Sequence, residues 1–229
     1  FSTVAFLVLG ESIVAALFGW GAFDGDDARA VSLVLGAYAL GLPAVAPSRI
    51  HQNSLYAVGD TAGPARIAAV RVGLAAVIGL AVMFPMDRIT VHAGELLTVT
   101  EDGWFGPLSR GIRSGSPDPH LGAVGLALGS AVAAWTELTL LARRTRRVLG
   151  APTGPSSVMG PLASPGATAV VVAVTARWAT DGLPDVAAAP LCVIVAGLAY
   201  VTVASATGVA EARSLITDLR GIRRRLVNR

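Results

Sequence analysis

Long apolar runs separated by short polar segments dominate this chain. Six runs of about 20 residues occupy positions of about 1–19, 29–48, 65–86, 120–142, 158–179 and 188–210. A helix rises about 1.5 Å per residue, so each run is long enough to cross a hydrocarbon core about 30 Å thick. The alternating ten-residue pattern of spanning β-strands is not seen. The pattern therefore predicts an all-α fold, a polytopic integral membrane bundle with six transmembrane helices.

The same pattern predicts three regions. Residues 1–150 contain four of the spans, and residues 151–210 contain two further spans. Residues 211–229 form a basic tail, in which one helical face carries Leu215, Leu219, Ile222 and Leu226 and the rest carries Arg220, Arg223, Arg224 and Arg225. Such a cationic amphipathic helix suits an anionic membrane surface, so membrane lipids are predicted partners and a nucleic acid is not.

Composition excludes other classes of protein. Hydrophobic residues make up 53% of the chain, charged residues 14%, and the mean hydropathy is +0.64. Soluble domains carry about 25% charged residues, which they need to cover their cores. The single cysteine, Cys192, and three widely separated histidines offer no disulfide framework and no metal-ligand spacing. We therefore expect no metal and no cofactor.

The distribution of charge predicts the orientation of the spans. If the first span runs outward, the inner segments 49–66, 143–157 and 211–229 hold twelve arginines and three acids. The outer segments 20–29, 87–119 and 177–187 hold five arginines and ten acids. Arginine excess marks the cytoplasmic side of membrane proteins, so the C-terminus is predicted to be cytoplasmic.

Two charges inside predicted spans lie at matching depth. Arg71 is about five residues into the third span, and Glu137 is about five residues before the inner end of the fourth, which places both about 7 Å below the inner surface. One interpretation is an ion pair that locks the two helices together at the cytoplasmic side. In the other, Arg71 reaches toward lipid headgroups and Glu137 lines a wet cavity.

Other intramembrane residues are candidates for a transport role. Glu11 is the deepest acid of the first span, and it either marks a transport pathway or hydrogen-bonds a neighbouring Ser or Thr. Pro43 and Pro47 interrupt the second span, where they provide either a hinge or a fixed kink. A stripe of small residues, Gly125, Gly129 and Ala133, is interpreted as a helix-packing face.

A polar hairpin, "YAVGDTAGPAR" at 56–66, separates the second and third spans. Its glycines break the preceding helix, and either Asp60 or Thr61 can cap the next one. Pro64 suits the first turn of that next helix.

Three segments together resemble the MurJ/MviN family of lipid II flippases. They are "GESIVAALFGWGAF" (10–23), "YALGLPAVAPSRIHQNSLYAVGDTAGPARIA" (38–68) and "HLGAVGLALGSAVAAWTELTLLARRTRR" (120–147). The second contains the family-like cytoplasmic hairpin with Tyr56, Asp60, Thr61 and Pro64. The stretch "HQNSLYA" lacks the basic and aromatic residues that often precede Tyr-Ala in the family, and the outer loop 87–119 is long.

This resemblance implies that the chain corresponds to the last six of fourteen helices. The implied protein is a multi-pass flippase of the bacterial plasma membrane that moves an undecaprenyl-linked peptidoglycan precursor by alternating access. The N-terminal half of the same transporter is then a partner. The family's substrate-binding arginines belong to helices that this chain does not include, so no substrate-binding residue is assigned.

Other functions stay open at this point. The chain also fits an exporter of another lipid-linked oligosaccharide or small amphiphile, or an inactive transporter-like scaffold for cell-wall synthesis. An intramembrane enzyme would need acids, His or Ser gathered at one membrane face, whereas the acids of this sequence are scattered over several loops. We therefore predict that the protein is not an enzyme.

Overall fold

The computed structural model describes residues 1–98, 106–108, 111, 118–150 and 155–207. Of these described residues, 78% are helical. The elements, in chain order, are α1 (Ser2–Val8), α2 (Gly10–Phe18), α3 (Gly25–Ala39), α4 (Leu42–Ala57), α5 (Ala62–Met86), β1 (Ile89–His92), β2 (Glu95–Thr98), α6 (Gly122–Leu149), α7 (Pro155–Ala179) and α8 (Asp185–Ala206). The predicted basic tail 211–229 lies outside the described residues.

Four helical segments in the described part of the chain are long and apolar enough to cross a membrane. They are Gly25–Ala57, which joins α3 and α4, and the helices α5, α6 and α8. The all-α membrane class fits this arrangement, whereas the number of six spans stays a prediction. The first predicted span is divided at Leu9 into helices of 7 and 9 residues. Helix α7 covers the predicted run 158–179.

Helix α6 lies at the centre of the bundle. It packs against α3, α4 and most extensively α5, while α7 and α8 pack on each other and on α1 and α2. Gly125 and Gly129 of α6 face the backbone of α5 so closely that a Cβ on Gly125 would lie 2.6 Å from the Met83 nitrogen. At Gly129 the neighbour is the backbone of Gly79. The structure confirms the packing interpretation of this stripe, because only glycine lets the two backbones approach so closely.

The helix that contains the end of the second predicted span, about 29–48, extends beyond the end of that span. Helix α4 continues to Ala57, so Arg49, His51 and Gln52 are helical, and the connection to α5 is only residues 58–61. Two polar residues of this extension, His51 and Gln52, are buried against the bundle. We call residues 58–61 and the last two turns of α6 the arginine-rich end of the bundle.

The loop after α5 contains a β-hairpin that the sequence analysis did not predict. Strands β1 and β2 pair antiparallel from Ile89–Thr98 to His92–Glu95. Ala93 and Gly94 both have positive φ, 50° and 77°, as a two-residue type I′ turn requires. Asp26, in the first turn of α3, accepts hydrogen bonds from both turn amides at 2.8 and 2.7 Å. The hairpin is thereby attached to the end of the bundle opposite the arginine-rich end.

Candidate functional site

An ion pair joins α5 and α6 inside the bundle. Arg71 Nη1 lies 2.6 Å from Glu137 Oε2, and the side chain of Glu137 is only 3% exposed. Arg71 retains 31% exposure, so its guanidinium lies at the edge of the packed region. Burying a carboxylate is tolerated only where it is paired and hydrogen-bonded. The pairing that the sequence suggested is therefore present, while any role in gating stays a prediction.

Glu137 has a second partner, on α4. Gln52 Nε2 donates to Glu137 Oε1 at 3.0 Å, and Arg49 Nη1 donates to Gln52 Oε1 at 3.1 Å. Both oxygens of the Glu137 carboxylate are thus occupied by groups from different helices. The sequence analysis did not single out Gln52 or Arg49. The signal that identifies them is their spacing of three residues, which on a helix places them on one face.

A polar cavity of about 500 Å³ opens beside this network. It is bounded by α4, α5 and α6, and its polar lining comprises Arg49, Gln52, Tyr56, Arg71, Ser130 and Glu137. Two guanidinium groups and one carboxylate give this lining a formal charge of +1. Arg49 and Tyr56 are exposed at its mouth, whereas Gln52 and Glu137 are buried. The cavity can therefore accept an anionic group more readily than a cation.

The family-like hairpin 56–66 is tied to the end of α6. Arg144 makes a two-pronged contact with Asp60, with Nε 2.5 Å from Oδ2 and Nη2 2.9 Å from Oδ1. Asp60 Oδ1 also accepts a hydrogen bond from the Gly63 amide at 3.0 Å, so Asp60, and not Thr61, caps α5 with its side chain. Pro64 lies in the first turn of α5, as predicted. The hydrogen-bonded Arg144 guanidinium lowers the pKa of Asp60 below its ordinary 3.8.

Arg144 also explains why Gly63 is a glycine. A Cβ at this position would overlap the Arg144 side chain, which crosses the first turn of α5 on its way to Asp60. Turn chemistry accounts for the types of residue in this hairpin. The contact with α6 explains their positions. The Asp60 carboxylate binds the Arg144 guanidinium, and Gly63, which has no side chain, leaves room for Arg144 to reach it.

The prolines of the second span separate into two roles. The chain breaks between α3 and α4 at Leu40 and Gly41, and Pro43 follows in the first turn of α4. Trp135 of α6 donates its indole N–H to the Leu40 carbonyl at 2.9 Å, which compensates for the helical backbone hydrogen bond lost at the break. Pro47 lies inside α4 without ending it. The break at 40–41 is therefore the candidate bending point, and its use as a hinge stays a prediction.

Glu11 lies apart from this network. It is exposed on α2 and lines a separate cavity of about 430 Å³, together with Arg29 and Ser32 of α3. The Ser32 hydroxyl donates to the Arg29 carbonyl, and within the described residues no hydrogen bond reaches the Glu11 carboxylate. The structural interpretation of Glu11, a bond to a neighbouring Ser or Thr, is not seen there. Its place in a transport pathway stays a prediction.

A third cavity is apolar. It measures about 570 Å³ and lies between α1, α2 and α8, where Phe1, Phe6, Ile13, Leu17, Pro190 and Val193 are among its lining residues. Such a lining suits hydrocarbon and offers nothing to a charged group.

No metal centre is formed within the described residues, since no three His, Cys, Asp or Glu side chains converge there. The described polar groups that line the cavity between α4, α5 and α6 include no nucleophile paired with a base. They are two guanidinium groups, a carboxylate held by one of them, an amide and two hydroxyls. These groups can hold and position a charge.

Comparison with known proteins gives two matches. The family model described as lipid II flippase MurJ matches residues 1–98. A protein of Rhizobium tropici named a probable lipid II flippase MurJ is 29% identical over 104 residues, which cover 45% of this chain and 19% of that protein. The matched segment thus spans about a fifth of the relative's length. The region that the family model matches includes the hairpin 56–66 and Arg71, whereas Glu137 lies outside that region.

Proposed function

We propose that this chain forms part of a flippase for a lipid-linked peptidoglycan precursor, because the family model described as lipid II flippase MurJ matches residues 1–98. The chain would correspond to the C-terminal portion of such a transporter and would work with its N-terminal half. The substrate would be the undecaprenyl-linked precursor, carried across the bacterial plasma membrane. A transporter of that family would move its substrate without covalent chemistry.

Beyond the family match, this proposal rests on the two partners of the Glu137 carboxylate. This carboxylate holds Arg71 of α5 through one oxygen and Gln52 of α4 through the other. Glycine contacts fix α5 to α6 at the backbone, so these two helices form a rigid pair. Helix α4 begins after the break at Gly41, and its hydrogen bond to Glu137 is the weaker and more replaceable of the two.

Because α5 and α6 are held rigidly together while α4 is attached by a weaker hydrogen bond, we infer an alternating-access movement. Helix α4 swings about residues 40–43 while α5 and α6 stay together, and the Gln52–Glu137 hydrogen bond forms in one state and opens in the other. Bistable elements of this kind convert a small local change into rigid-body motion. The arginine-rich end would face the cytoplasm, with the C-terminus on that side, because arginine is enriched in cytoplasmic loops.

The apolar cavity between α1, α2 and α8 supports a lipid-linked substrate in this scheme. An isoprenoid tail requires an apolar surface open to the membrane, and this cavity has an apolar lining of suitable size. The phosphate-bearing headgroup would move on the polar side of the bundle.

The test is rescue of bacteria depleted of their own lipid II flippase by the complete gene product that contains this chain. Rescue is expected for the unchanged protein. Arg71→Glu and Glu137→Arg should each fail, because each leaves like charges facing one another in a buried place, and the double exchange should restore growth. Immunoblots of membranes check that all variants accumulate equally.

Two outcomes of this test would contradict the proposal. Failure of the unchanged protein despite normal accumulation would remove the precursor as substrate and favour an exporter of another amphiphile or a scaffold. Equal rescue by both single variants would show that the ion pair has no part in transport.

A further inference from the structure

We propose that the polar cavity between α4, α5 and α6 is a binding site for the phosphate of an anionic lipid headgroup. The proposal concerns binding alone and goes beyond the proposed function, since it holds whether or not the chain moves a precursor. Its basis is a charge that the internal network leaves uncompensated, next to an exposed apolar helix.

The first step is that Arg49 has no carboxylate partner among the described residues. Glu137 is the only carboxylate among the described residues that line this cavity, and it is held by Arg71 and Gln52. Arg49 donates one N–H to the Gln52 carbonyl oxygen. Among the described residues no carboxylate lies within ion-pair distance of Arg49. A guanidinium with free donors therefore stands at the mouth of the cavity.

The second step is the chemistry that matches this lining. A guanidinium presents planar N–H donors that fit two oxygens of a phosphate, and charge-assisted hydrogen bonds of this kind are strong. Arg71, although paired, adds positive potential, and the hydroxyls of Tyr56 and Ser130 add donors. A cation is disfavoured, because the lining carries a formal charge of +1.

The third step distinguishes a lipid from a soluble anion. Val72 lines the cavity and is 69% exposed, and the apolar window of α5 is only 6% buried. A headgroup in the cavity can therefore extend acyl or isoprenoid chains along α5. Two molecules supply this chemistry, a glycerophospholipid such as phosphatidylglycerol and a polyprenyl pyrophosphate, and experiment can separate them.

The experiment is isothermal titration of the purified protein in detergent with four probes. They are dioctanoyl-phosphatidylglycerol, dioctanoyl-phosphatidylcholine, farnesyl pyrophosphate and inorganic phosphate. Arg49→Gln removes the free charge and keeps a polar side chain of similar reach. Arg146→Gln is the matched control, because it removes an exposed arginine at the same end of the bundle that does not line the cavity.

At least one of the two anionic lipids should bind about tenfold more tightly than phosphatidylcholine, and Arg49→Gln should weaken that binding by about tenfold or more. Arg146→Gln should leave it unchanged. Tighter binding of phosphatidylglycerol identifies a glycerophospholipid, and tighter binding of farnesyl pyrophosphate identifies a polyprenyl carrier. Tyr56→Phe, which keeps the ring, should also weaken binding and serves as a second variant if Arg49→Gln does not fold.

Three results would overturn the proposal. Equal weakening by Arg49→Gln and Arg146→Gln would indicate diffuse attraction to a basic surface. Equal affinity for phosphatidylcholine, or no binding of either anionic lipid, would remove the anionic headgroup. Inorganic phosphate binding as tightly as both lipids would exclude a lipid ligand. None of these results depends on transport, so they are independent of the rescue experiment.

Discussion

Arg144, near the end of α6, and Asp60, just before α5, form a two-pronged ion pair with N–O distances of 2.5 and 2.9 Å. The same carboxylate accepts the amide of Gly63 and so caps α5. One side chain therefore both begins a helix and fastens it to its neighbour. This relationship fixes the arginine-rich end of α5 against α6, while Arg71 and Glu137 join the same two helices deeper in the bundle.

Replacement of Asp60 tests this double role. Asp60→Asn keeps an oxygen for the Gly63 amide but loses the charge that faces Arg144, and Asp60→Ala loses both. We expect the midpoint of thermal unfolding in detergent to fall for Asp60→Asn and to fall further for Asp60→Ala. Asp181→Asn is the control, since Asp181 is 75% exposed and, within the described part of the chain, pairs only with Arg177 on the neighbouring turn. An equal effect of all three variants would contradict the assignment.

The same ion pair predicts a dependence on acid. The pKa of Asp60 is lowered in the folded protein, so the carboxylate contributes stability above its ordinary value of 3.8. That contribution is lost as the pH falls through the lower pKa of the folded state. Unfolding midpoints measured below pH 4 should therefore decline less steeply for Asp60→Asn than for the unchanged protein.

Removing Arg71 from the buried ion pair should cost more stability than removing the charge of Glu137. Arg71→Gln leaves the Glu137 carboxylate buried with only Gln52, and breaking a buried pair in this way costs about 3–5 kcal/mol. Glu137→Gln leaves Arg71, which is 31% exposed and can turn toward water or headgroups, so its cost should be smaller. The double variant Arg71→Gln/Glu137→Gln should be more stable than Arg71→Gln alone. Chemical unfolding in mixed micelles measures these differences, and strict additivity would exclude the coupling.

The close contact of α5 and α6 predicts which glycines tolerate a methyl group. Gly129→Ala places a Cβ against the backbone of Gly79, and the cost of such overpacking is about 1–3 kcal/mol. Gly73→Ala is the matched control in α5, because nothing lies within 4 Å of the added Cβ. We expect a clear loss of stability for the first and none for the second. Similar unfolding midpoints for both would show that the helices are farther apart.

The hairpin should loosen as the pH rises. His92 Nδ1 lies 3.0 Å from Asp118 Oδ1, and this carboxylate raises the pKa of His92 above its ordinary 6.5. A raised pKa means that the protonated form stabilises the fold fully below pH 6.5, and that this stability is lost as the pH rises through the folded-state pKa. After correction for intrinsic rates, hydrogen exchange at β1 and β2 should show less protection at pH 8.5 than at pH 5.5. His92→Gln should abolish that difference, and a difference that persists in this variant would have another source.

The sequence by itself predicted the features that depend on local composition and period. Apolar runs of sufficient length indicated membrane helices, and four segments of the described chain meet that criterion. The matching depths of Arg71 and Glu137 suggested a pair, because helix rise converts residue count into depth. The glycine stripe on α6 indicated close packing for a similar reason, since spacing on a helix determines which residues share a face.

Only the tertiary structure decided which groups from different segments meet. Arg144 reaches Asp60 across 84 residues, Gln52 reaches Glu137 across 85, and Asp26 meets the hairpin turn 67 residues later. A polar residue in the sequence is equally consistent with a solvent-exposed position and with a buried one, so the partners of Gln52 and Asp26 could not be read from the sequence. Their roles depend on the geometry of packed helices, which brings distant backbone and side-chain groups within about 3 Å of one another.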